Sequence, residues 1–139
     1  VARKKLVDAV ASRGLIISAI SVHGNPLHPD KAIASEHHDV FVNAVLLAEQ
    51  LHKDGIMPQA TVNGFSGCPG DSPRGKMPNW VTCAWPDEYR DILEYQWRVA
   101  KKYWKAQNAF LAQHGFQVAN VAGGIHAWSV QVDPTIPVY

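Results

Sequence analysis

Apolar and polar positions change period several times along the chain, and each change marks an element. Over residues 3–12, "RKKLVDAVAS", Leu6, Val7 and Val10 share one face at helical spacing, and Gly14 follows as a stop. Residues 15–22, "LIISAISV", form an almost unbroken apolar run, the pattern of a strand buried on both faces. The run ends at "HGNPLHPD", where Gly24, Pro26 and Pro29 force a loop. A second helix is predicted over about residues 33–52, with Val40, Phe41, Ala44, Leu47, Ala48 and Leu51 repeating at threes and fours as one stripe. "TVNGF" reads as a short strand. Residues 66–86 read as a long irregular loop, of a length that compact domains reserve for function or disorder. Trp80 and Trp85 argue against disorder and are read as loop anchors. From Asp87 to about His114 the pattern is helical again, with Tyr89, Ile92, Leu93, Trp97, Ala100, Tyr103, Trp104, Phe110 and Leu111 on one broad face. Its length predicts a break near Lys101–Lys105, and Trp97, Trp104 and Trp128 are read as core. Gly115 caps this helix, "FQVANVA" makes a third strand, "GGIHAW" opens a short last helix, and "VDPTIPVY" is an extended tail.

Apolar strands alternating with helices give an α/β class with parallel pairing and crossover helices. The expectation is one domain over residues 1–139, either an incomplete (β/α) barrel-like arrangement or an open parallel sheet with alternating helices. Composition agrees with a single globular unit: 139 residues, 47% hydrophobic and 18% charged, with a formal charge of +1. So small a net charge gives no reason to expect a polyanion partner. Arg3, Lys4 and Lys5, and Arg98, Lys101, Lys102 and Lys105, fall in helix-like stretches and read as solvated faces rather than a nucleic-acid surface. No run approaches the roughly 18 apolar residues of a membrane span. Two cysteines make no disulfide framework, so a reduced cytoplasmic protein is expected, with pairing of Cys68 and Cys83 left open.

Candidate chemistry concentrates in the loops. In "GFSGCPGDSPRG", Cys68 is followed by five residues and then Arg74, the spacing of a thiolate loop that cradles a phosphate. Such a loop needs free backbone N–H groups and a following helix. Pro69 and Pro73 each delete an N–H, Asp71 sets a negative charge against an anion, and "GKMPNW" is no helix start. Cys68 is therefore read as inert or weakly substrate-facing. Ser66, Asp71 and Asn79 suit a hydroxylated ligand. His23 and His28 are two nitrogens in one loop, whereas a catalytic metal site wants three protein ligands, so the residues assign no metal. His37 and His38 open a helix and read as surface residues. Glu36, Glu49, Glu88 and Glu94 fall on or beside helices, where surface roles prevail.

"ISAISVHGNPLHPD", "NGFSGCPGDSP" and "PNWVTCAWP", in that order, resemble the sugar phosphate isomerase/epimerase family, TIM barrels of the xylose-isomerase-like kind, over about residues 1–105. The resemblance implies that the strand ending at His23 is the second of a barrel and "TVNGF" the third, with the first upstream of Val1. It implies that His23 and Asn25 point into the mouth of a site that takes a sugar phosphate, together with Ser66 and Asp71. In that family a divalent metal is held by Glu, Asp and His of later strands, so a metal here would need a site completed by another chain. From about Ala106, "AQNAFLAQHGFQVANVAGGIHAW" resembles the C-terminal end of a rhodanese-like sulfurtransferase, but no cysteine stands near Arg98–Lys101, where the persulfide loop would be. The chain reads as a composite of two incomplete parts. Exposed sheet edges predict a homo-oligomer. Three functions stay open: an isomerase-like protein with little catalysis of its own, a non-catalytic recombined or designed scaffold, and a rhodanese-like sulfurtransferase.

Overall fold

A computed structural model of the protein describes residues 2–118. Helix α1 spans Ala2–Ala11, strand β1 Ile20–Val22, helix α2 Lys31–Lys53, strand β2 Val62–Gly64 and helix α3 Glu88–Gln113. This is a mixed α/β arrangement. β1 and β2 pair in parallel, with Ile20 opposite Val62, Ser21 opposite Asn63 and Val22 opposite Gly64, and α2 makes the crossover between them. The expected strand over 116–122 lies largely outside the described residues, and Phe116–Val118 carry no strand. The expected last helix, Trp128 and the proline tail lie wholly outside them. Among the described residues no helix is long and apolar enough to cross a membrane.

The ends of α2 are set by local chemistry. Asp30 caps its start, with extended backbone and a side chain that accepts from Ala32 N–H at 2.8 Å. His52 and Lys53 sit in the last turn, where cations suit the helix dipole, and Gly55 follows at φ +79°. That turn reverses the chain so that Ile56 and Met57 fold back, both N–H groups reaching the Leu51 carbonyl. Ala48, Leu51, Ile56 and Met57 form the buried cluster, with Val7, Val10, Ile17, Ile20, Ala60, Val62 and Phe116 packed against it. The core therefore lies where the end of α2 meets the start of the sheet.

The structure departs from the sequence pattern in several places. Of the expected strand over 15–22 only Ile20–Val22 pairs, and Leu15 and Ile16 are 58% and 63% exposed. Leu15 and Ile16 precede the paired stretch and lie outside the described two-stranded sheet. The stripe of α2 is also rotated from the expected one. Ala44, Val45, Ala48 and Leu51 are buried, whereas Val40 and Leu47 are exposed. α3 runs unbroken through Lys101–Lys105. There the lysines stay in solvent while Ala100, Tyr103 and Trp104 turn inward, so the cations exert no strain on the helix. Trp97 is not core but 49% exposed, and Trp104 is half-buried.

α2 and α3 meet through side chains with polar ends. The Tyr103 hydroxyl lies 2.9 Å from His38 Nδ1, and Phe41 meets Trp104 edge-on at 5.5 Å between ring centroids. Burial pushes the Tyr103 phenol up to about 12. Farther along, Glu49 receives Lys53 and, at 2.8 Å, His114 Nδ1. The bond from Lys53, then that from His114, holds its carboxyl below the usual range. His37 and His38, expected as surface residues, are instead half-buried.

Leu51 is 1% exposed at the centre of the cluster. Leu51→Ala is expected to lower unfolding stability by about 2–5 kcal/mol, read from the midpoint of urea denaturation. A loss under about 1 kcal/mol would place the core elsewhere.

Candidate functional site

Parallel pairing brings the carboxyl ends of both strands to one edge. Because Val22 stands opposite Gly64, the next residues, His23 and Phe65, emerge side by side, their ring centroids 5.3 Å apart and tilted by 41°. Both are exposed, Phe65 by 64%. Gly64 allows this closeness, since a Cβ there would stand 2.7 Å from the Val22 carbonyl oxygen.

The segment that follows β2 has no helix or strand until α3 begins, and side chains from other elements hold it. Asn25 Oδ1 accepts from Leu27 N–H at 3.1 Å and Cys68 N–H at 2.9 Å, while its Nδ2 donates to the Cys68 carbonyl at 3.0 Å. The carboxamide thus pairs with one residue of the loop much as a neighbouring strand would. Gly67, at φ +93°, is required here, because a Cβ would fall within 3 Å of Leu27 Cγ and Asn25 Oδ1. The Trp104 indole N–H donates to the Ser66 carbonyl at 2.9 Å.

Gln96 of α3, with no exposed surface, holds the far part of the loop. Its Nε2 reaches the Gly70 carbonyl at 2.9 Å, the Asn79 carbonyl at 3.2 Å and Asn79 Oδ1 at 3.0 Å, and its Oε1 accepts from Val81 N–H at 2.9 Å. One buried amide therefore ties residues 70, 79 and 81 to the helix. Among the described residues no buried side-chain polar atom lacks a partner. His37 supports the other side of the site. Its Nδ1 accepts from Asn25 N–H at 2.9 Å, and Gly24 leaves room for the ring, since a Cβ would lie 3.0 Å from that of His37.

The residues expected at the site divide into two groups. His23 stands free at the strand end, and Ser66 and Asp71 are exposed in the loop beyond it. Asp71 Oδ1 accepts from the Ser72 hydroxyl at 3.2 Å inside the turn closed by Gly75 N–H on the Ser72 carbonyl. Asn25 and Asn79 are turned inward to the loop framework, Asn25 keeping one Nδ2–H unassigned. His28 Nδ1 accepts from Asp30 N–H at 2.9 Å and so braces the start of α2. Trp80 packs edge-on against Trp97 at 5.1 Å, but Trp85 is 79% exposed and anchors nothing by burial.

Sequence reasoning passed over Gln96, His37 and Phe65. The signal for Gln96 was present: a glutamine falls on the same helical face as Ile92, Leu93 and Ala100, where an apolar residue is the rule. Nothing comparable marked His37, whose role comes from a contact across twelve residues.

Cys68 is half-buried, Cys83 is exposed, and both are free thiols. The Cys68 N–H is engaged by Asn25 and no helix begins after Pro69, so the loop lacks the converging N–H groups that an anion needs. Among the described residues no three His, Cys, Asp or Glu side chains gather as metal ligands. These residues do not make up a metal centre on their own.

No family model and no solved structure matches the chain. It is 36% identical over 106 residues to the uncharacterized protein YfiH of Bacillus subtilis (strain 168), a match covering 74% of this chain and 32% of that protein. The chain thus spans about a third of the length of the curated relative it matches.

If Gln96 holds the loop, Gln96→Ala should free it locally. Tryptic cleavage after Arg74 or Lys76 is expected to rise about tenfold or more, as the loss of buried hydrogen bonds near 1–3 kcal/mol implies. An unchanged cleavage rate would mean that the loop is held by other contacts.

Proposed function

We propose that this chain is the ligand-binding βα portion of a protein of the sugar phosphate isomerase/epimerase kind, and that it binds a phosphorylated sugar with little catalysis of its own. The observation that supports this reading is the parallel register of β1 and β2, which sets His23 beside Phe65 at one carboxyl edge, with Ser66 the next residue and Asp71 exposed farther along the same loop. In parallel α/β folds that edge is where ligands bind. The three loop motifs that resemble the family, "ISAISVHGNPLHPD", "NGFSGCPGDSP" and "PNWVTCAWP", supply or adjoin that edge.

Each residue has a role suited to its chemistry. His23 hydrogen-bonds a sugar hydroxyl or carbonyl, Ser66 donates to a hydroxyl, and Asp71 accepts from one. Asn25 and Gln96 position the loop rather than touch the ligand. Moving a proton next to a carbonyl also needs a base held against the reacting carbon. Glu36, Glu88 and Glu94 lie exposed on helices, and Glu49 is occupied by Lys53 and His114. A base, and any divalent metal, would come from outside the described residues, through a second copy or another chain. The edges of the described two-stranded sheet favour such an association. A sulfurtransferase reading gains no support from a loop whose Cys68 amide is already bonded.

The test is a titration of the protein with fructose 6-phosphate, followed by backbone amide NMR shifts. Shifts are expected at His23, Ser66 and Asp71, and His23→Ala should weaken binding about three- to tenfold, the worth of one hydrogen bond. Shifts absent at millimolar sugar, or confined to α1, would overturn the reading.

A further inference from the structure

Phe65 is an apolar ring held in solvent at the edge where a ligand is expected. Single exposed apolar residues are common and need no explanation. Phe65 differs in how firmly it is held there. Before it, Gly64 closes the register with Val22, and a Cβ at that position would strike the Val22 carbonyl. After it, the Ser66 carbonyl takes the Trp104 indole N–H, Gly67 is wedged against Leu27 and Asn25, and the Cys68 backbone is bonded on both sides by Asn25. Fixed on both flanks, the backbone presents the ring outward by construction. The neighbouring imidazole, 5.3 Å away and tilted, leaves an aromatic surface with a polar group at its rim.

The chemistry of that pair is specific. An aromatic face is electron-rich and attracts polarised C–H groups, while an imidazole at its border exchanges hydrogen bonds with hydroxyls. A sugar ring offers both, with C–H groups gathered on one face and hydroxyls around the edge. A rigid platform also spares the entropy of ordering a loop on binding.

We infer that Phe65 and His23 together form a carbohydrate-stacking platform, the ring of Phe65 lying against the C–H face of a sugar and the imidazole bonding a hydroxyl at its rim. The inference rests on the sugar-binding reading above and adds to it the residue that selects the ring. Phosphate plays no part in this contact, so a neutral sugar must use it too.

The test takes methyl β-glucopyranoside as a neutral probe beside fructose 6-phosphate, with the unsubstituted protein, Phe65→Leu and Phe65→Trp. Stacking shifts the sugar C–H proton resonances upfield through the ring current. Those shifts are expected with the unsubstituted protein and lost in Phe65→Leu, with affinity for both sugars falling about three- to tenfold. Phe65→Trp, with a larger face, should tighten both. Fructose 6-phosphate binding that is equal in all three proteins would overturn the platform and leave the sugar phosphate reading standing. Failure of the unsubstituted protein to bind either sugar would overturn both. Should Phe65→Leu dissociate a dimer in sedimentation while sugar affinity holds, the ring belongs to a contact between copies and the platform is likewise overturned.

Discussion

Between Gly64 and Glu88 the chain has many backbone donors and acceptors and no ladder to pair them, and two side-chain amides take over that task. A carboxamide carries one acceptor group and one donor group, as a peptide bond does, and can stand in for a missing strand. Asn25 does so for Cys68, and Gln96 for residues 70, 79 and 81. Gln96 is wholly buried, where each hydrogen bond is stronger than in water and each loss dearer. The course of the loop from Cys68 to Val81 follows largely from these two amides, with the Trp104 indole holding Ser66 before it.

The rest of the molecule is lightly packed. Among the described residues the tightest buried cluster is Ala48, Leu51, Ile56 and Met57 at the junction of α2 and the sheet, and α1 contributes no buried residue. Helix contacts across α2 and α3 lean on polar ends, the pairs His38–Tyr103 and Glu49–His114, as much as on apolar area. Leu15, Ile16, Val40, Leu47, Tyr89 and Trp97 remain exposed.

Much of this was legible in the sequence where the signal is local. The helices and the parallel α/β class followed from apolar periodicity and from Gly and Pro at the breaks, because those effects act within a few residues. Gly115 as the stop of α3 belongs to the same kind. What escaped depends on contacts between distant residues. Which apolar side chains are covered was misjudged at Leu15, Ile16 and Trp97, since periodicity shows that a face exists and not what lies against it. At the site, His23, Ser66 and Asp71 are exposed in loops, Asn25 bonds the backbone of Leu27 and Cys68, and Trp85, expected as a loop anchor, is exposed while Gln96 and Trp104 bond the loop. A glutamine amid an apolar stripe was the one visible trace of that arrangement.

The most direct test of the account is amide hydrogen exchange at Cys68 and Val81, the two loop N–H groups that donate to side-chain carbonyls of Asn25 and Gln96. The account predicts that both exchange well more slowly than the neighbouring amides of Cys83 and Ala84. Exchange at the rate of an unstructured peptide at both positions would contradict it, since the two side-chain amides would then not be holding the loop.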